Sequence, residues 1–367
     1  MTRAAVDGVK SNDVIELGQR YNVPFEWPED SVQVERLSSS PWKSVSGYSV
    51  WPHPRTPGAE LLMVPLLLVP GRSAYLAATI ANALFFLLLV VVIIPRVEAV
   101  NRERLLLVAP LALAAAPVFG TFEYGTKSMV LAVLLGAAWI SGRHRDSILA
   151  GAAIAIAITL KLWPAFILLP FLYFGRRRVV SVAVGGAVAL NVVGMVAFQT
   201  SPVDLVSMLA RSGETFLLLV SNSSAVAWLA ALGWSPVAVF SALAVVGGLG
   251  TWWTSRCGGY DAGVAFATTT ALLISPLSWA HYDMVLIGVA LWLMSRRGPG
   301  RLLGIGWLLM ALTGLSARWL IASIPLQSLW TLGGRLVLLT GISWWVIAQP
   351  SRRGAKAFAK LEVSSSP

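Results

Sequence analysis

The sequence predicts an all-α polytopic membrane protein, a bundle of about eleven transmembrane helices with short, broken helices on its outer side. Two observations carry this. Of 367 residues, 56% are hydrophobic and only 12% are charged, about half the charge of a soluble domain. No water-soluble fold of this length covers so apolar a chain with polar surface. The basic residues, which give a net charge of +11, also come in short bursts between apolar stretches. That is the pattern of cytoplasmic loops, and it argues against nucleic acid as a partner.

Residues 1–58 are polar, near neutral and broken by Pro24, Pro28, Pro41, Pro52, Pro54 and Pro57. They read as an extracytoplasmic segment with a short helix from about Asp13 to Tyr21. The transmembrane domain runs from 59 to 350. The apolar stretch after Val50–Pro65 is too short to cross and suits an interfacial or re-entrant piece. Residues 73–94 are long enough to span. Residues 105–120 and 128–141 form a hairpin closed by TFEYGTK; 147–160 and 162–175 form a second, hinged at Lys161-Leu162-Trp163-Pro164. Residues 179–198 span again, and a loop of roughly 35 residues follows. Further spans are expected at about 236–253, 262–275, 284–295, 302–317 and 335–348. Residues 351–367 are a basic tail.

About sixteen bases fall on one side of this topology and about six on the other, so the richer side, with the tail, is the cytoplasm. The breaks at Pro164 and Pro276 then face outward. Non-helical backbone at membrane depth is tolerated only against protein or a watery cavity, so an outward-facing cavity is expected.

Ionisable residues at membrane depth are costly and therefore functional candidates. Lys161 stands between two apolar half-helices in ITLKLWPAF, where an ammonium suits a phosphate; the plainer alternative is a lysine that snorkels to the interface. SPLSWAHYD gathers Trp279, His281 and Asp283 in one outer turn. TFEYGTKS offers Glu123 and Lys127, and Asn222-Ser223-Ser224 offers uncharged groups for sugar hydroxyls. With one cysteine, Cys257, and scattered His53, His144 and His281, neither an internal disulfide nor a metal cluster is expected. There is no phosphate-binding glycine loop, so no nucleotide cofactor is expected either.

The runs GTKSMVLAVLLGAAW, SILAGAAIAIAITLKLWPAFILLPFLYFGRRR, SNSSAVAWLAALG and LLISPLSWAHYDMVL, in that order, resemble glycosyltransferase family 87. The resemblance covers roughly residues 50–295, and its most specific parts are Lys161–Pro164 and Ser275–His281. It implies the GT-C fold and a membrane location with the active site facing outside. It implies transfer of a mannosyl or pentosyl unit from a polyprenyl-phosphate donor to a cell-envelope glycolipid or glycan, with inversion. It also implies an aspartate base in an outer loop, after a first membrane helix that residues 1–58 do not contain. Asp13, followed by a short helix and an aromatic, best fits that aspartate, with Asp7 and Asp30 as alternatives. Lys161 and His281 would stabilise the leaving phosphate, with Trp279, Asp283, Lys127 and Asn222 as further substrate-binding candidates. The chain departs from the family pattern at Tyr282, where a second histidine is common, and at Gly125-Thr126. The rival readings are a transporter or flippase of lipid-linked sugars, and a catalytically inactive relative.

Overall fold

The structure is a computed structural model that describes residues 56–64, 71–97, 115, 117, 127–144, 146–203, 206, 222–278, 280–296, 298–320 and 324–348. Among these the regular structure is entirely helical. In order, the helices are α1 (Pro57–Met63) and α2 (Gly71–Leu88), the latter extended by a π-helical turn (Leu89–Ile93) and Ile94–Val97. Then come α3 (Ser128–His144), α4 (Ile148–Leu160), a 3-10 turn (Trp163–Ile167) and α5 (Leu168–Tyr173). They are followed by α6 (Arg177–Ala197), α7 (Ala225–Ala231), α8 (Pro236–Gly258) and α9 (Tyr260–Ile274). A second 3-10 turn (Ala280–Val285) leads into α10 (Leu286–Met294), then α11 (Pro299–Leu320) and α12 (Ile324–Ala348).

Four segments are long and apolar enough to cross a membrane: Leu76–Arg96, Arg177–Ala197, Pro236–Gly258 and Ser328–Ala348. They turn apolar faces outward, as Leu84, Val196, Val237 and Ile347 show. The short helices are the interior. In α9 and α10 almost every side chain is buried, Trp292 and Leu286 completely. A helix that is apolar all round belongs inside the bundle or in lipid. Two hydroxyls inside α9 bond back to their own helix: Thr268 Oγ1 donates to the Val264 carbonyl at 2.8 Å, and Thr269 to Ala265 at 2.9 Å. That satisfies them where water does not reach.

Neighbours in the bundle are α4 on α6, whose starts lie together, and the successive pairs α8 on α9 and α11 on α12. A polar layer marks each end of the bundle. At one end the Asp261 carboxylate accepts from Arg143 Nε at 2.9 Å and from the Trp139 indole at 2.8 Å. Arg143 also donates to the Arg96 carbonyl at 3.1 Å, and Asp146 caps α6 by accepting from the backbone of Arg178 and Val179 at 3.0 and 2.8 Å. Acceptors at a helix start satisfy its orphan N–H groups.

Helix length sets the depth of the other layer. Asp146 ties the starts of α4 and α6 to one level. From there α4 rises over 13 residues, about 20 Å, while α6 rises over 21, about 31 Å. Likewise α9 has 15 residues beside the 23 of α8, about 22 Å against 35 Å. The ends of α4 and α9 therefore stop about 10 Å below the level that the long helices reach.

One expectation is revised and one is made concrete. The last span begins at Ile324 rather than at 335, which moves Arg335 from a helix end to the middle of α12. The segment after Val50 contains a short helix, α1, packed on α6. Thr56 starts it: its hydroxyl accepts from Ala59 N at 3.2 Å and donates to the Thr159 carbonyl at 2.6 Å. The expected 105–120 helix and the helix after Asp13 lie outside the described residues.

Candidate active site

The recessed layer is built where α4 and α9 stop. Leu160 ends α4, and Lys161 follows as an extended residue, φ −154° and ψ 137°, its N–H bonded to Ala157. Pro164 then sits in the first turn of the 3-10 helix. Proline lacks the N–H that would continue α4, so the chain restarts on a new axis with Lys161 at the break.

Ile274 ends α9, and the chain turns through Ser275–Ser278. Asn222 splices the Asn222–Ser224 segment onto this turn. Its side-chain nitrogen donates to the Pro276 carbonyl at 2.7 Å, and its oxygen accepts from Ser278 N at 3.1 Å and Ser224 N at 3.2 Å. Ser223 N donates to the Ser278 carbonyl at 2.6 Å. Ser224 caps α7 by accepting from Ala227 N at 2.9 Å.

Beneath the splice lies an ion pair that sequence reading missed. Arg335 is fully buried and Asp283 is 3% exposed. Both Nε and Nη2 of Arg335 lie 2.7 Å from one Asp283 oxygen. Its Nη1 donates to the Ser223 carbonyl at 2.7 Å and the Leu272 carbonyl at 3.1 Å. One guanidinium thus joins α12, the second 3-10 turn, the splice and the end of α9. The planar fork of arginine suits such a junction.

Above this sealed layer stand the accessible groups. Lys161 Nζ lies 5.0 Å from the centre of the Tyr282 ring, over its face. His281 meets the same ring edge-on, centroids 4.5 Å apart. Tyr282, one of the departures from the family pattern, is buried and forms the platform, while Lys161 and His281 are half-buried. Lys127, at the head of α3, is also half-buried, and α3 packs on the second 3-10 turn. The structure therefore gathers Lys161, His281, Asp283 and Asn222, with Lys127 at the same end. Asp13 and Trp279 lie outside the described residues. Among the described residues the buried hydroxyls of Ser223 and Ser278 have no hydrogen-bond partner.

Residues 55–276 match the model of glycosyltransferase family 87, which is well over half of the chain. The chain belongs to glycosyltransferase family 87. As a family 87 member it is a membrane glycosyltransferase. It is 27% identical over 331 residues to a polyprenol-phosphate-mannose-dependent alpha-(1-2)-phosphatidylinositol pentamannoside mannosyltransferase of Mycolicibacterium smegmatis, covering 83% of this chain and 76% of that protein. It is also 27% identical over 243 residues to the protein of the same description from Mycobacterium tuberculosis, covering 61% of this chain and 53% of that one. No solved structure matches. Arg335 lies beyond the family match; the signal that finds it is an arginine in the middle of an apolar helix.

Proposed function

We propose that this family 87 enzyme transfers a mannosyl unit from a polyprenyl-phosphate donor to a cell-envelope glycolipid or glycan, with inversion. The observation that carries the reading is the recessed pair of half-buried basic groups, Lys161 and His281, on the Tyr282 platform. Lipid-linked phosphate is an anion that lies at the edge of the hydrocarbon, and a recessed cationic floor meets it there. The names of the mycobacterial relatives supply the donor class.

In this reading the donor phosphate sits against Lys161 and His281, with Lys127 adding positive charge at the rim. Trp279, on the same turn as His281, contacts substrate. Asn222 and Asp283 act one step back, by fixing the turn that carries His281 and Tyr282. Asp13 takes the proton from the acceptor hydroxyl. That oxygen attacks the anomeric carbon from the face opposite the phosphate, the carbon–oxygen bond to phosphate breaks, and polyprenyl phosphate leaves. Lys161 and His281 stabilise the charge that develops on the departing phosphate. The site and residues 1–58 face the extracytoplasmic side, and the Arg143 end and residues 351–367 face the cytoplasm, in line with the excess of bases at that end.

The test is incubation of membranes holding the protein with radiolabelled polyprenyl-phosphomannose and a lipid extract. A labelled glycolipid is expected. If the labelled donor crosses vesicles intact and no product forms, the flippase reading takes its place.

A further inference from the structure

A groove of about 570 Å³ lies between α8 and the segment after Lys161, within the size range of small-molecule pockets, roughly 300–1,000 Å³. Ala165, Phe166 and Leu169 form one wall, and Val245, Gly248 and Leu249 the other. Every one of these side chains is apolar. Val245 and Leu249 are 63% and 62% exposed, so the groove opens toward the lipid rather than toward the polar layer.

Its position decides its occupant. Lys161 stands about 20 Å above the base of the bundle, and Val245, thirteen residues before Gly258, stands about 20 Å above the base of α8. The groove therefore begins at the level of Lys161 and runs toward the middle of the membrane. Ala165 and Phe166 follow Lys161 by four and five residues. An ordinary phospholipid holds its headgroup at the membrane face, about 10 Å higher on the long helices. A lipid whose phosphate sits on Lys161 must instead enter the hydrocarbon at the recessed level, where this groove starts.

We infer that the groove seats the isoprenoid chain of the lipid-phosphate donor, its first units packed between Phe166, Leu169 and Gly248. The inference rests on the donor reading above. Glycine at 248 keeps the groove open: a Cβ there meets only Leu169 Cδ1, at 4.0 Å. Its neighbour Gly247 is different, since a Cβ there comes within 3.3 Å of Phe166 and closer still to Thr270. Gly248→Leu therefore fills the groove without disturbing the helix contact, whereas Gly247 is a packing residue.

The experiment uses the full-length protein with two donors, a long-chain polyprenyl-phosphomannose and an analogue truncated after its second isoprene unit. Gly248→Leu should raise KM for the long-chain donor by about tenfold or more, because a few buried methylene groups account for that much. KM for the truncated donor should change little. Val246→Phe, on the exposed face of α8 outside the groove, should affect neither. Equal effects on both donors, or on neither, overturn the inference. A second measurement does not depend on turnover: polyprenyl phosphate carrying a photoreactive group in its first units should label residues 165–169 and 245–249, and Gly248→Leu should abolish this. Labelling elsewhere, or labelling displaced equally by phospholipid, identifies the groove as a seat for bulk lipid and overturns the inference even if transfer itself is confirmed. Correct labelling with no transfer leaves the groove standing and overturns the enzymatic reading.

Discussion

Lys161 is the residue whose place is most easily justified from first principles. A half-buried ammonium at the break between two apolar helices has lost part of its hydration, and it regains it on binding an anion. A hydrogen bond to a charged partner contributes about 1.5–3 kcal/mol. Lys161→Ala should therefore weaken use of the donor roughly ten- to hundredfold, while Lys161→Arg retains part of it; full activity in the alanine variant would reduce Lys161 to an anchor. The base is tested in the same assay: Asp13→Asn should abolish transfer and leave donor binding intact. Activity in that variant would move the base to another acid. That Lys161 and His281 come to the same end of the bundle was legible in the sequence, because the breaks at Pro164 and Pro276 fall on one side of the topology. Arg335 was not, because hydropathy placed it at the start of a span. Ser328, Thr331 and Arg335, spaced by three and four residues, share one face of α12, and the two ends of that stripe, Ser328 and Arg335, are buried. A polar stripe turned into the protein dilutes hydropathy along the helix and mimics a loop. Removing one member of a buried ion pair costs about 3–5 kcal/mol, whereas replacing both with apolar groups often costs little. Arg335→Met should accordingly destabilise the detergent-solubilised protein strongly, and Arg335→Met with Asp283→Leu should recover most of the loss in a thermal melt.

At the level of elements, the site is a matter of helices of unequal length. The alternation of short and long spans was readable, because the stops at Pro164 and Pro276 are written in residues that cannot continue a helix. The splice between Asn222–Ser224 and Pro276–Ser278 was not readable. It depends on two segments more than fifty residues apart meeting side by side, and no local pattern encodes that. The splice makes a contrast that can be measured. Asn222→Ala removes three hydrogen bonds from a buried junction and should lower both the melting temperature and kcat, with a stability loss on the order of 1–3 kcal/mol. Ser223→Ala removes a buried hydroxyl that has no partner among the described residues, so it should leave stability unchanged or improve it. A large loss of stability in Ser223→Ala would refute that description of its hydroxyl.

At the scale of the whole molecule, the two polar layers differ in charge. Among the described residues Arg96, Arg143, Arg176, Arg177, Arg178, Arg256, Arg296 and Arg301 all sit toward the end that holds Asp261, and on the proposed topology that end faces the cytoplasm. Cys257, exposed beside Arg256, is a natural reporter. A membrane-impermeant thiol reagent added to intact cells should leave Cys257 unmodified, and in a Cys257→Ser background it should modify a cysteine introduced at the exposed Ser201. The opposite pattern would invert the protein and place the recessed layer in the cytoplasm.

The junction made by Arg335 also has a consequence in time. A ribosome finishes Asp283 52 residues before Arg335; at about 5–20 residues per second this is an interval of roughly 3–10 s. For that interval the carboxylate has no guanidinium, and α9 and α10 lack the contact that seals them together. The nascent bundle must keep Asp283 hydrated, or shielded by the insertion machinery, until α12 arrives. A chain stalled before α12 would present an unpaired acid within the bilayer, a mark that membrane quality control can read.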